Sequence, residues 1–158
     1  MAAKILIPLD GSEIGEAALP YIEELVSKLS PRVKLEFILF RVVPLLTHYI
    51  ATGEVMAPIA YTGKEMAQIQ QEARDYLNKV NESIISEKFS VEIKVEVGNA
   101  AEEIIKAADE ISVDLIAMST HGRHGISRWA FGSVTDKVLR GGHKPVLVVR
   151  APKEAEQT

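Results

Sequence analysis

Four short runs of apolar, largely β-branched residues punctuate the chain, at 5–9, 35–43, 115–118 and 146–149. A continuous apolar run of this length suits a strand buried on both faces, as in a parallel sheet covered by helices. A fifth segment, 90–97, alternates instead: Val91, Ile93, Val95 and Val97 share one face and charged residues occupy the other, which places this strand nearer a sheet edge. Between these runs the period changes from two to about 3.6. Residues 12–29 set Ala18, Ile22, Leu25 and Leu29 on one stripe. Residues 63–88 do the same with Met66, Ile69, Ala73, Leu77, Val80 and Ile84. Asn99 followed by Glu102 reads as a capping box opening a third helix, whose inward residues are Ile104, Ile105, Ala108 and Ile111. Ser133 with Asp136 reads as a start signal of the same kind, and Gly141-Gly142 before Pro145 closes that short helix.

The resulting order is β-α-β-α-β-α-β-α-β. Strict alternation predicts an α/β fold, a doubly wound five-stranded parallel sheet with helices on both faces. Such sheets bind ligands outside the carboxyl ends of their strands, where the winding reverses. The segments to watch are therefore 8–12, 42–62, 98–100 and 119–133. The 44–62 connection is long for a compact domain and carries Leu45, Leu46, Tyr49, Ile50, Val55, Met56, Ile59 and Tyr61. Connections of this length usually serve a function, so it is expected to be a lid over a ligand or a surface buried against a partner. Residues 1–150 read as one domain and 151–158 as a polar tail.

Composition narrows the classes of function. The 158 residues are 47% hydrophobic and 25% charged, ordinary values for one folded domain. A net charge of −4, with both signs mixed along the chain, leaves no footprint for nucleic acid and no polybasic run for a membrane surface. Cysteine is absent, which excludes disulfides, thiolate metal sites and a thiol nucleophile. No secretory or membrane-spanning pattern stands out, so the cytoplasm is the expected location.

The chemistry concentrates between Met118 and Thr135. Gly122, Gly125 and Gly132 allow positive φ and close approach of a ligand to the backbone. Gly132 and Ser133 fall where the next helix presents unpaired N–H groups, a ready anion site. Ser133 and Thr135 add hydroxyls, and Arg123 or Arg128 can neutralise charge. The alternative is a turn with a serine cap and nothing more. Asp10, at the carboxyl edge of the first strand, is placed to meet ribose hydroxyls or a magnesium ion. Ser12 can cap the first helix alone, which frees Asp10 for that task. His121 and His124 share the Gly-rich loop without the converging ligands that zinc requires. No Walker A sequence, nucleophile elbow or catalytic triad is present. The apolar last strand, between Val146 and Val149, would leave an exposed edge that pairing with a second copy covers.

The segment Gly122, nine residues, then Gly132-Ser133 resembles the signature of the universal stress protein family, with Ser119 in place of the first glycine. The opening Ile5-Leu6-Ile7-Pro8-Leu9-Asp10-Gly11-Ser12, the segment from Gly98 to Ile104 and the closing Pro145-Val146-Leu147-Val148-Val149 agree with it in order, so the resemblance spans nearly the whole chain. It implies a Rossmann-like, adenine nucleotide alpha hydrolase-like fold, a homodimer, and ATP (or AMP or ADP) as ligand, with Mg²⁺ as its companion. Carried over residue by residue, it puts Asp10 near the ribose or a phosphate-bound metal, Val42 and Met118 at the base, Gly122, Gly132, Ser133 and Val134 around the phosphates, and Ser119 beside the ribose-phosphate; Pro8, Leu9, Arg123 and Thr135 complete the expected binding residues. The function it implies is nucleotide-coupled signalling to a partner protein without strong catalysis. Two alternatives stand beside it: a nucleotide-independent dimeric module acting through 44–62, and a slow ATPase.

Overall fold

The computed structural model describes residues 1–45, 47–52, 55–84, 87–120 and 132–152, with backbone alone at 47–52 and 55–60. Five parallel strands form the sheet: β1 (Ala3–Pro8), β2 (Leu35–Val43), β5 (Phe89–Val97), β6 (Leu115–Thr120) and β7 (Val146–Arg150), in the order β5-β2-β1-β6-β7. Helices α1 (Glu13–Glu16), α2 (Ala18–Ser27), α3 (Gly63–Ser83), α4 (Ala100–Glu110) and α5 (Ser133–Gly141) make the crossovers. The chain steps from β1 out to β2 and β5, then returns past them to β6 and β7. Right-handed crossovers therefore place α2 and α3 on one face and α4 and α5 on the other. The two cores show this division. Ile5, Ile7, Phe37 and Leu39 pack with Ile22, Val26, Leu77 and Val80, whereas Leu6, Ile38, Phe40 and Ile116 pack with Ile104, Ala108 and Val138. Alternate residues of each central strand thus meet different helical layers, which is why those strands are apolar at nearly every position. The alternating strand, β5, lies at an edge as its pattern predicts.

Four expectations need correction. The first helix is interrupted at Ala17, so 12–29 is two helices rather than one. Pro20 has no N–H to give the carbonyl four residues back, at Glu16, and the first turn of α2 starts afresh there. The buried face of α2 is Ala18, Leu19, Ile22 and Val26, while Leu25 and Leu29 are exposed. α3 ends at Ser83, short of Lys88, and opens on a complete capping box between Thr62 and Glu65. Finally, the connection 44–62 contains two further strands, β3 (Thr47–Thr52) and β4 (Val55–Ala60), paired antiparallel with Thr47 opposite Ala60. This hairpin forms its own two-stranded sheet, separate from the five-stranded one. Two strand-like runs separated by Gly53-Glu54 are a hairpin signal in the sequence. Among the described residues, no helix is long and apolar enough to cross a membrane.

Candidate functional site

The winding reverses between β1 and β6, and a cleft of about 140 Å³ opens there at the carboxyl edge. Pro8, Leu9, Asp10, Val42, Met118, Ser119, Val134 and Thr135 line it, eight of the residues that the sequence singles out. Gly132 and Ser133 precede Val134 at the start of α5 and are not among the lining residues. Gly122 and Arg123 lie outside the described residues, as do His121, His124 and Arg128.

Asp10 is held firmly for an exposed carboxylate. Its Oδ1 accepts from the Ser12 N–H at 2.9 Å and from the Ser12 hydroxyl at 2.5 Å. The Ser12 oxygen in turn accepts from the Gly15 N–H at 3.0 Å, so Ser12 is the cap of α1, as its position suggests. Gly15 has a second part in this arrangement. A Cβ at that position would stand 2.5 Å from Asp10 Oδ1, so only glycine lets the carboxylate lie against α1.

Ser119 occupies a specific place. Its hydroxyl donates to the Gly15 carbonyl at 3.0 Å, tying the end of β6 to α1 across the cleft floor. Val42 offers backbone polarity. Leu9 N–H donates to the Phe40 carbonyl, and Gly98 N–H donates to the Val43 carbonyl. Peptide groups alternate sides along a strand, so Val42 turns its N–H and C=O to the β1 side. The β1–β2 ladder ends at Pro8 opposite Phe40, two residues short of Val42. A donor and an acceptor thus stand side by side at the edge of an apolar cleft.

The opposite wall is the start of α5. Its N-cap is Gly132, at φ +90°, and not Ser133, which is the first helical residue; no side chain caps the helix. The first N–H bonded back into the helix is that of Asp136, to the Gly132 carbonyl at 3.0 Å. The N–H groups of Ser133, Val134 and Thr135 therefore carry the helix's partial positive charge with no partner among the described residues. Thr135 is 4% exposed, and its hydroxyl also lacks a partner among the described residues. A buried hydroxyl left unpaired costs about 1–3 kcal/mol, and this one lines the cleft.

Gly15, Phe40, Ala100 and Ile104 complete the lining and are not among the site residues expected from the sequence. Phe40 could have been found by strand parity with Val42, and Ile104 by its place one turn after Ala100 in a segment already marked as an edge. Gly15 left no trace, because its role depends on where Asp10 sits.

Behind the Asp10 turn lies a second polar group of residues. The Arg41 guanidinium sits 4.9 Å from the centre of the Tyr76 ring, and the Tyr76 hydroxyl donates to Glu16 at 2.7 Å. Burial, reinforced by the Glu16 carboxylate, holds the Tyr76 phenol protonated far above the usual tyrosine range.

Among the described residues, no three histidine or acid side chains gather to hold a metal. The described lining contains a single acid, Asp10, so a divalent ion fits here only if phosphate oxygens supply most of its ligands.

Comparison with known proteins agrees with the fold. The model of the universal stress protein family matches residues 1–150. Universal stress protein MJ0577 of Methanocaldococcus jannaschii is 29% identical over 95% of this chain and 96% of its own. The solved structure of MJ0577 superposes with a TM-score of 0.70 at 27% identity, covering 97% of this chain and 99% of that one. Two more distant structures share the fold. A universal stress protein in complex with cAMP has a TM-score of 0.58 at 18% identity, covering 94% and 97% of the two chains. A family protein of Arabidopsis thaliana with AMP bound has a TM-score of 0.57 at 15% identity, covering 96% and 94%.

Proposed function

Because the chain belongs to the universal stress protein family, we propose that the cleft binds an adenine nucleotide, ATP foremost, and that the protein acts by nucleotide-coupled signalling to a partner protein in the cytoplasm rather than by turnover. In this reading the base enters between Val42, Phe40 and Met118, and the Val42 peptide meets its hydrogen-bonding edge. Asp10 meets the ribose hydroxyls through the oxygen that Ser12 leaves free. The phosphates rest on the N–H groups of Ser133, Val134 and Thr135. At about 140 Å³ the cleft is smaller than the ~300–1,000 Å³ of most ligand pockets, so the phosphates extend past its mouth along the start of α5. A magnesium ion carried in with the phosphates, with Asp10 as its protein ligand, would supply charge neutralisation.

The observation that carries this reading is the pairing of a helix start that no side chain caps with the buried Thr135 hydroxyl, neither of which has a partner among the described residues. An anionic ligand at the helix start gives such a hydroxyl a partner. The cAMP and AMP complexes of the two distant fold relatives point in the same direction. Asp10 is the single acid of the described lining, and any hydrolysis is expected to be slow.

The test is calorimetric titration of nucleotide-stripped protein with ATP, AMP and GTP, with and without Mg²⁺, for wild type and Thr135→Val. The variant keeps the side-chain shape and loses the hydroxyl. We expect it to raise the stability of the empty protein by about 1 kcal/mol and to weaken ATP binding about tenfold. Absence of nucleotide binding by folded wild type would refute the proposal and leave the second reading, an interaction module acting through the separate β3–β4 hairpin.

The dimer is proposed on the contrast between the two sheet edges. β5 carries Glu92, Lys94 and Glu96, with Lys94 paired to Glu96 at 3.5 Å. Charges of this kind blunt an edge against other chains. β7 has no charge before Arg150. Pairing of β7 with its counterpart in a second copy, between Val146 and Val149, covers that edge.

A further inference from the structure

We infer that Arg41 is a positioning residue for this site, holding the Asp10 turn from the far face of β2. Its effect on affinity rests on the nucleotide reading above, whereas its effect on the turn does not. Phe40 and Val42 line the cleft, so Arg41 between them lies on the opposite face, that of Phe37 and Leu39. Its guanidinium comes forward beside Gly11. A Cβ built on Gly11 would stand 2.8 Å from Arg41 Nη1, and Gly11 has φ +88°. Glycine at this point therefore admits both the left-handed turn and the cation. On its other side the guanidinium lies over the Tyr76 ring, and Tyr76 is held in place by its bond to Glu16 of α1.

These contacts close a circuit. The turn at Asp10–Ser12 meets Arg41 of β2, Arg41 meets Tyr76 of α3, Tyr76 meets Glu16 of α1, and α1 returns to the turn through the Ser12 cap. Among the described residues Arg41 forms no ion pair. A half-buried cation without a carboxylate partner must be balanced in another way. The ring face of Tyr76 supplies part of that balance. The planar guanidinium suits this task better than an ammonium, because it can lie flat on the ring and close to the glycine together. Its expected action is indirect: with Arg41 in place, the turn keeps Asp10 against Gly15, ready for the ribose.

The test combines a ligand-free measurement with a titration. Amide hydrogen exchange of the empty protein by NMR follows the Ser12 N–H, which is bonded to Asp10, with the Gly98 N–H as control for an intact β2. Arg41→Gln should speed exchange at Ser12 about tenfold and leave Gly98 unchanged, with Arg41→Lys in between. ATP affinity should fall about tenfold in Arg41→Gln, but less than roughly twofold when Asp10→Ala is already present. Unchanged exchange at Ser12 would overturn the inference. So would an equal loss of affinity in the Asp10→Ala background, since Arg41 would then touch the ligand directly. If wild type binds no nucleotide, the nucleotide reading fails and the exchange result alone decides the role of Arg41.

Discussion

Replacing Gly15 with alanine sets two effects of similar size against each other. Within a helix, glycine to alanine ordinarily stabilises by about 0.5–1 kcal/mol, because the unfolded chain loses freedom. Here the new Cβ would stand 2.5 Å from Asp10 Oδ1 and 3.4 Å from Asp10 Cγ. The carboxylate must swing away, which breaks its bonds from the Ser12 N–H and hydroxyl. Each is worth about 0.5–1.5 kcal/mol at most, and water recovers part of this because Asp10 is exposed. The net change in stability should therefore lie within about 1 kcal/mol of zero, while ATP affinity falls about tenfold because the ribose loses its acceptor. A double-mutant cycle makes the argument sharp. With Asp10→Ala present the main obstacle is gone and only the Ser12 hydroxyl, 3.3 Å from the new Cβ, must give slightly, so Gly15→Ala should stabilise by most of the ~0.5–1 kcal/mol and alter affinity less than roughly twofold. Urea denaturation and calorimetric titration of the four proteins supply the numbers. Equal stabilisation by Gly15→Ala in both backgrounds would refute the claim that Asp10 is packed against α1.

Ser119→Ala removes the donor to the partly buried Gly15 carbonyl; a loss of about 1 kcal/mol in urea denaturation is expected, with faster exchange at the α1 amides. Because the Tyr76 phenol is held protonated by burial and Glu16, the folded state keeps a proton that the unfolded chain releases near pH ~10. Stability should accordingly be full below that pH and decline above it; Tyr76→Phe should lessen this decline, as denaturation series between neutral and alkaline pH would show. Val148→Lys puts a charge on the β7 edge and should shift the protein from dimer to monomer in sedimentation velocity, with the fold kept by circular dichroism.

How far the sequence revealed this protein depended on the range of the interactions involved. The parallel sheet was legible because two-sided burial writes itself as mostly apolar runs at β1, β2, β6 and β7, and β5 announced its edge position by alternation. The cleft residues at strand ends were legible for the same reason, since the carboxyl edge of a doubly wound sheet is set by topology. What escaped was governed by contacts distant in sequence. Ser119 could not be read as a tie to α1, because its acceptor lies 104 residues away. Arg41 resembled any strand residue until Gly11 and Tyr76 were seen beside it. The hairpin is local, but its apolar runs suit a lid or a partner surface as well as strands, and only the turn residues Gly53-Glu54 between them favour a hairpin.

The β3–β4 hairpin also bears on how such a chain can change over time. Its feet, Thr47 and Ala60, face one another in the ladder, about 5 Å apart by ordinary strand geometry. Material inserted between them leaves its two ends where a short link would have left them. On either side the structure closes without it: the Val43 carbonyl is satisfied by Gly98, and α3 begins on its own capping box. Since the entropy of closing a longer loop grows only as the logarithm of its length, this segment can be lengthened, shortened or exchanged at little thermodynamic cost. It offers a place where new binding specificity can be tried while the cleft at the carboxyl edge and both cores are left as they are.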